Sequence, residues 1–393
     1  MFDAVTPAPP DPILGLGELF RADPRENKLD LTVGVYCDES GRTPVFEAAR
    51  LAQARFISTE TTKTYLPISG STAFANVVKD LVAPNDADLH GRLEIAQTPG
   101  GTGALTVAAR LLWATYPDAT VWISDPSWPN HLGVFADCGL TVRTYPYYDP
   151  SHASIRFDDM LSALAEVGPH DAVVLHGCCH NPTGLDLTIP QWEAVGSLLS
   201  DRGALAIIDT AYIGLGEGLD EDAAGLQVML RSGVDVAACL SFSKNLGLYG
   251  ERVGALVIAG HSPEQAASVQ SRVKACVRTI YSNPPITGGA IVSTVLADPE
   301  LRSIWIVELT AMRDRINSLR AALAAAVAER GLDRCRGVGA AKGMFGFSGL
   351  TNPEVLRLRD EAGIYLVGNG RMNIAALTTT TIPVFVDALE KLR

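Results

Sequence analysis

Short apolar runs recur through the middle of the chain, at Leu93–Thr98, Thr120–Ser124, Asp171–His176, Ala204–Asp209, Val236–Leu240 and Val253–Ala259. Their length and their Val, Ile, Leu and Ala content predict buried strands. Between most of them the apolar positions fall at helical spacing: Ala104–Tyr116, Pro129–Cys138, Phe157–Val167, Pro190–Asp201 and Ala223–Ser232. Strands alternating with helices predict an α/β domain with a mostly parallel sheet and helices on both faces. The run at Gly254–Val257 follows the polar loop around Lys244 too closely for a helical crossover. It predicts an antiparallel strand in an otherwise parallel sheet.

The flanks read differently. Pro7, Pro9, Pro10 and Pro12 make the start of the chain an arm with little regular structure. A helical piece at Asp11–Asp23 and a short strand at Leu29–Tyr36 follow. Helices then occupy residues 43–92, interrupted by the polar stretch 61–72. Beyond Pro263 a long helical region continues to Ala328. A glycine-rich stretch at Gly337–Gly349, a helix at Pro353–Glu361, a strand at Ile364–Val367 and a helix at Ile382–Leu392 close the chain. These last elements, with the N-terminal piece, predict a second, smaller domain.

Composition narrows the class. The chain has 393 residues, 47% hydrophobic and 19% charged, as in an ordinary globular enzyme with a large core. Its net charge of −12 argues against nucleic acid as a partner. No apolar stretch is long enough to span a membrane, and Met1–Pro12 lacks the basic start and apolar core of a signal peptide. Seven cysteines without a regular framework suit a reducing cytoplasm.

The reactive residues gather at strand ends, where open α/β sheets bind ligands. The first strand runs into Gly100-Gly101-Thr102-Gly103 ahead of a helix, a turn suited to an anion. The second is followed by Trp128, which can stack on a flat ring. The third gives His176-Gly177-Cys178-Cys179-His180-Asn181; no second ligand pair accompanies it, so no metal is expected, and Asn181 reads as a positioned donor. The fourth ends in Asp209, with Tyr212 just beyond. The fifth delivers Lys244 in Ser241-Phe242-Ser243-Lys244, with Arg252 downstream. A lysine past a buried strand end is partly desolvated and becomes a nucleophilic amine. Hydroxyls and a guanidinium around it suit a phosphate. An aldehyde that also carries a phosphate is pyridoxal phosphate. Each feature alone has an ordinary structural reading; all five at successive strand ends do not.

Together with Glu60-Thr61-Thr62-Lys63-Thr64-Tyr65, Trp128-Pro129-Asn130-His131, His180-Asn181-Pro182-Thr183-Gly184, Tyr281-Ser282-Asn283-Pro284-Pro285 and Gly370-Arg371-Met372-Asn373, these motifs cover nearly the whole chain. The sequence resembles the class I pyridoxal-phosphate aminotransferases, in the aspartate and aromatic amino-acid subgroup. The resemblance implies the fold type I architecture: a large domain with a mostly parallel seven-stranded sheet between helices, and a smaller α/β domain. It implies an arm and part of the small domain at 1–44, a cofactor-binding domain at 45–310 and a small C-terminal domain at 311–393.

By the same resemblance, Lys244 holds the cofactor aldehyde and moves a proton. Asp209 pairs with the ring nitrogen, backed by His131. Asn181 and Tyr212 bind the ring oxygen, and Trp128 stacks on the ring. Gly101, Thr102, Ser241, Ser243 and Arg252 bind the phosphate. Tyr65 and Arg278 serve the neighbouring subunit of a homodimer. Arg371, with Gly34 and Asn181, holds the substrate α-carboxylate, and Arg278 meets a side-chain carboxylate. Gly100, Cys37 and Thr64 depart from the Ser, Lys and Asn common in the aspartate enzymes, which points away from a strict dicarboxylate preference. The activity implied is transamination between an aromatic amino acid and 2-oxoglutarate, with aspartate as a further donor. A dedicated aspartate aminotransferase is the alternative, and a lyase or decarboxylase on the same cofactor a more distant one.

Overall fold

The computed structural model describes residues 2–7, 11 and 13–392. Pro9, Pro10 and Pro12 of the N-terminal arm lie outside the described residues. The chain divides into two compact units, one made of residues 44–314 and the other of residues 1–43 with 315–393.

The first strand, β1 (Leu29–Asp30), belongs to the second of these units. The larger unit is built on seven strands: β2 (Leu93–Thr98), β3 (Thr120–Asp125), β4 (Thr141–Pro146), β7 (Ala172–His176), β8 (Leu205–Thr210), β9 (Asp235–Ser241) and β10 (Gly254–Ala259). A small hairpin of β5 (Tyr148–Asp149) and β6 (Ser154–Ile155) lies outside that sheet. The order across the sheet is β2-β10-β9-β8-β7-β3-β4. The pairs from β9 through β8, β7 and β3 to β4 are parallel. β10 is antiparallel to both β9 and β2, as its distance from the Lys244 loop predicts.

Every residue of β7 and β10 is buried, as expected of strands covered on both faces. One cluster packs Leu105, Val107 and Leu112 of the helix Gly100–Thr115 against Val121, Val174, Ile207 and Leu256 of the sheet. Burial of each large aliphatic side chain contributes roughly 1.5–3 kcal/mol. Close approach also dictates a glycine: a Cβ on Gly254 would stand 2.5 Å from both the Leu240 carbonyl oxygen and the Gly100 carbonyl carbon.

Several boundaries differ from the sequence expectation. The helix after β2 begins at Gly100 rather than Ala104, so the glycines form its first turn. The region after Pro263 is three helices, Pro263–Ile280, Ile286–Ala297 and Pro299–Glu329, broken at Tyr281–Pro285 and Asp298. Only Leu29–Asp30 of the segment 29–36 is a strand, because the following residues turn at Val33–Val35, where the Val35 amide donates to the Val33 carbonyl at 2.9 Å.

In the second unit β1 pairs in parallel with β12 (Ile364–Tyr365), and β11 (Phe345–Phe347) pairs antiparallel with β13 (Arg371–Asn373). The helix Asn352–Ala362 starts in a reciprocal Thr351–Glu354 cap and stops at Gly363, whose φ of 69° is left-handed. Arg320 is buried here, its guanidinium donating to the carbonyls of Val338 (3.1 Å), Phe345 (3.0 Å) and Gly343. Three carbonyls around one buried cation fix the path of the chain into β11.

Candidate active site

The carboxyl ends of β7, β8 and β9 carry the reactive side chains of the larger unit, as the strand-end reading expects. Asp209 lies near the end of β8 and is 9% exposed. His131, in the first turn of the helix Pro129–Asp137, points its Nε2 at Asp209 Oδ2 from 3.0 Å. Burial pushes the Asp209 carboxyl up. The hydrogen bond from His131 and the charges of His131, His176 and Lys244 outweigh it, so the net direction is down. Asp209 is therefore held as a carboxylate inside the protein.

A chain of contacts continues behind it. Ser127 Oγ lies 2.8 Å from His131 Nδ1 and 3.3 Å from His176 Nε2. His176 is the register partner of Asp209 across the parallel β7–β8 pair. His180 bonds Ser124 Oγ at 3.0 Å and Thr183 Oγ1 at 2.9 Å, and its ring stacks on Tyr147 at 4.0 Å. Burial drives His176 well below the usual imidazole range and His180 down to about 3. The sequence reading passed over Ser127, His176 and His180 as functional residues. The signal was present: His176 ends a buried strand beside the one ending in Asp209.

Lys244 lies in the loop between β9 and β10, its Nζ 5.0 Å from the centre of the Tyr212 ring. Asn181 Nδ2 reaches Tyr212 Oη at 3.5 Å. The Trp128 ring stands edge-on to His131, centres 5.3 Å apart. Beside this group lies a second one. Ser241 and Ser243 are buried, and Arg252 Nη1 donates to Ser243 Oγ at 3.1 Å. Gly100 and Gly101 open the helix that faces them. A Cβ on Gly100 would stand 2.5 Å from Arg252 Nη2, and one on Gly101 would stand 3.2 Å from the Ser241 Cβ. Thr102 follows in the same turn. A helix N-terminus, two hydroxyls and a guanidinium, with glycines leaving the approach open, have the chemistry of a phosphate cradle. A buried carboxylate and an amine complete the donor set that pyridoxal phosphate requires.

The histidine–cysteine run places Cys178 Sγ, Cys179 Sγ and an Asp222 oxygen within 4.8 Å of one another. That carboxylate already accepts the backbone N–H groups of Gly214, Gly216 and Glu217 at 2.8–2.9 Å.

The remaining expected residues fall elsewhere. Tyr65 is 89% exposed. Arg278, near the end of the helix Pro263–Ile280, is also exposed and donates to Ser282 Oγ. Gly34 and Arg371 belong to the second unit. Arg371 is 3% exposed, donates from Nη2 to the Thr32 carbonyl at 2.5 Å, and lies 4.4 Å from the centre of the Phe345 ring.

The comparisons with known proteins agree with this chemistry. The family model for aminotransferase class I and II matches residues 26–389. The aspartate aminotransferase of Salmonella typhi is 44% identical over 392 residues, covering 99% of each chain. The aromatic-amino-acid aminotransferase of Paracoccus denitrificans is 43% identical over 390 residues, again 99% of each. A crystal structure of an aromatic-amino-acid aminotransferase from Burkholderia pseudomallei, covalently bound to pyridoxal phosphate, has a TM-score of 0.96 and 45% identity, covering 100% of this chain and 99% of that one. The chain belongs to the class I and II aminotransferases. It is a pyridoxal-phosphate-dependent transaminase.

Proposed function

We propose that this enzyme moves the amino group between an aromatic amino acid, phenylalanine or tyrosine, and 2-oxoglutarate in a ping-pong cycle, with aspartate as an additional donor. The observation that carries the proposal is the buried Asp209–His131 pair, whose carboxylate feels the Lys244 charge, beside the Gly100–Arg252 cradle.

Pyridoxal phosphate, when bound, supplies an aldehyde for the amino group and a ring that accepts the electron pair released at Cα. Asp209 holds the proton on the ring nitrogen. The His131 bond and the neighbouring positive charges keep it charged for that task, against the effect of its burial. Asn181 and Tyr212 would donate to the ring oxygen, and Trp128 would stack on the ring. Gly101, Thr102, Ser241, Ser243 and Arg252 hold the phosphate. Lys244 would anchor the cofactor aldehyde through its amine, and its Nζ is placed to accept and return the substrate Cα proton. Arg371 takes the α-carboxylate as a fork, beside Gly34.

We assign Tyr65 and Arg278 to the neighbouring subunit's site in a homodimer. A large aromatic left 89% exposed supports that assignment. The cytoplasm is the proposed location, and residues 45–310 the proposed cofactor-binding domain. Among the described residues no helix is long and apolar enough to cross a membrane. A second reading, aspartate aminotransferase, is favoured by the 44% identity to the Salmonella typhi enzyme. Cys37 and Thr64 favour the first. The deciding experiment is kcat/KM for phenylalanine, tyrosine and aspartate against 2-oxoglutarate. Aspartate exceeding both aromatic substrates by a hundredfold would select the second reading.

A further inference from the structure

Arg371 and Asn373 occupy the same face of β13, two residues apart. Asn373 is fully buried, and its side chain is used at both ends. Nδ2 donates to the Val33 carbonyl at 2.7 Å and to the Val35 carbonyl at 2.8 Å, while Oδ1 accepts the Ala375 amide at 3.0 Å. Val33 and Val35 flank Gly34. The Val35 amide also donates to the Val33 carbonyl at 2.9 Å, so Gly34 is the middle of a three-residue turn. Such a turn is marginal by itself. Here one amide clamps both of its carbonyls.

Gly34 is tied to Arg371 by a second route. A Cβ on Gly34 would stand 2.7 Å from Cζ of Phe345, so the tip of that ring abuts the turn. Phe345 is the register partner of Asn373 across β11–β13, and its ring also lies 4.4 Å from the Arg371 guanidinium. The Gly34 turn, the Phe345 ring and the Arg371 fork therefore form one stack, with Asn373 as its clip.

We infer that Asn373 is a positioning residue for the α-carboxylate site: through Val33, Val35 and Phe345 it fixes Gly34 relative to the Arg371 guanidinium. The inference rests on the proposed carboxylate role of Arg371 and goes beyond it. A fork binds a carboxylate well only if its plane is fixed before the ligand arrives. Without the clip the turn relaxes, the ring loses its floor, and the guanidinium no longer has one orientation. Every substrate shares the α-carboxylate, so every substrate must feel the loss equally.

The test uses the full-length holoenzyme and the variant Asn373→Ser, which is too short to reach either carbonyl. The KM of phenylalanine, aspartate and 2-oxoglutarate should rise by one common factor, roughly tenfold for two lost hydrogen bonds. kcat should fall less than threefold, and the dissociation constant of pyridoxal phosphate should not change. The half-reaction with phenethylamine, which has no carboxylate, should run at the wild-type rate. A general loss of structure would slow that amine as well. Where Asn373→Ser does not fold, Phe345→Leu, which removes the ring between turn and guanidinium, carries the same expectations. Arg371→Leu separates this inference from the reading beneath it. If Arg371→Leu spares amino acids and phenethylamine alike, the carboxylate assignment fails. If it penalises only amino acids while Asn373→Ser or Phe345→Leu keeps wild-type KM values, or slows phenethylamine too, the positioning role is overturned.

Discussion

His131 Nε2 stands 3.0 Å from Asp209 Oδ2, and the two residues are 0% and 9% exposed. A carboxylate so placed keeps its charge only while its partner donates. Its removal leaves the imidazole without its acceptor and, under the proposed role, the cofactor's ring nitrogen without its counter-charge. Asp209→Ala should therefore slow proton removal from Cα by about two to four orders of magnitude. Stopped-flow single turnovers with Cα-deuterated phenylalanine measure that step directly. A rate within tenfold of wild type would remove Asp209 from the chemistry.

Lys244→Ala should keep pyridoxal phosphate through the phosphate cradle but lose nearly all turnover. Intact mass after borohydride treatment is the second readout: the wild-type chain gains the mass of the reduced cofactor and the variant does not. A variant that still fixes cofactor would place the anchor on another lysine.

Arg278 is exposed in its own chain, and in the proposed homodimer its guanidinium would face the neighbouring subunit's site. Arg278→Leu should lower kcat/KM for aspartate about a hundredfold, since the paired carboxylate loses its fork. Phenylalanine should stay within about threefold in its own half-reaction. Equal losses for the two donors would refute separate recognition of the side-chain carboxylate.

The buried histidines predict an acid-sensitive fold. The folded protein holds His180 neutral down to about 3, and His176 is lowered in the same direction, in both cases first by burial. Unfolded, an imidazole takes up its proton near pH 6.5. Below that pH the unfolded chain binds protons that the folded chain refuses, so stability falls as pH falls. The loss runs from about pH 6.5 towards the folded values. Asp209, with its lowered carboxyl, adds a loss in the same direction only below about pH 4. Urea midpoints at pH 7 and pH 5 isolate the histidines. The midpoint should drop on acidification, and His180→Asn should make the drop smaller. An unchanged drop would show that His180 is not among its causes.

By the family resemblance Gly100 stands where serine is common in the aspartate enzymes, and the sequence alone ties this to substrate preference. The structure gives it a different meaning. Gly100 has φ of 74°, and a Cβ there would stand 2.5 Å from Arg252 Nη2. Gly100→Ser should therefore weaken cofactor binding several-fold, because the guanidinium must move off the cradle and the backbone is strained. Titration of the apo-enzyme with pyridoxal phosphate decides the sign. Tighter binding would mean that Arg252 yields without cost.

How far the sequence spoke depended on how each element is buried. β7, β8, β9 and β10 declare themselves because both faces are covered and the runs are apolar. The edge strand β4 was missed: Thr141, Arg143 and Thr144 are exposed, and only Tyr145 is buried. Lys244, Asp209 and Asn181 could be placed because reactive residues stand at strand ends in such sheets. Asn373 could not, because its partners are the carbonyls of Val33 and Val35, and backbone acceptors leave no mark on composition. For the same reason the segment 29–36 looked like one strand. Its apolar residues are real, but its turn is made by a side chain more than three hundred positions away.

The antiparallel β10 has one more consequence. Ser241 of β9 is paired directly with Gly254 of β10, so the intervening loop leaves the sheet and returns to the same place. Ser243, Lys244 and Arg252 all ride on that loop. Closing it is a local event with a small entropic cost. Asp209 and Gly101 must be brought in from distant parts of the chain. The proposed covalent anchor and the proposed phosphate cation are thus a single cassette. A chimera with crossovers in β9 and β10 would exchange both together and leave the ring's supports in the host.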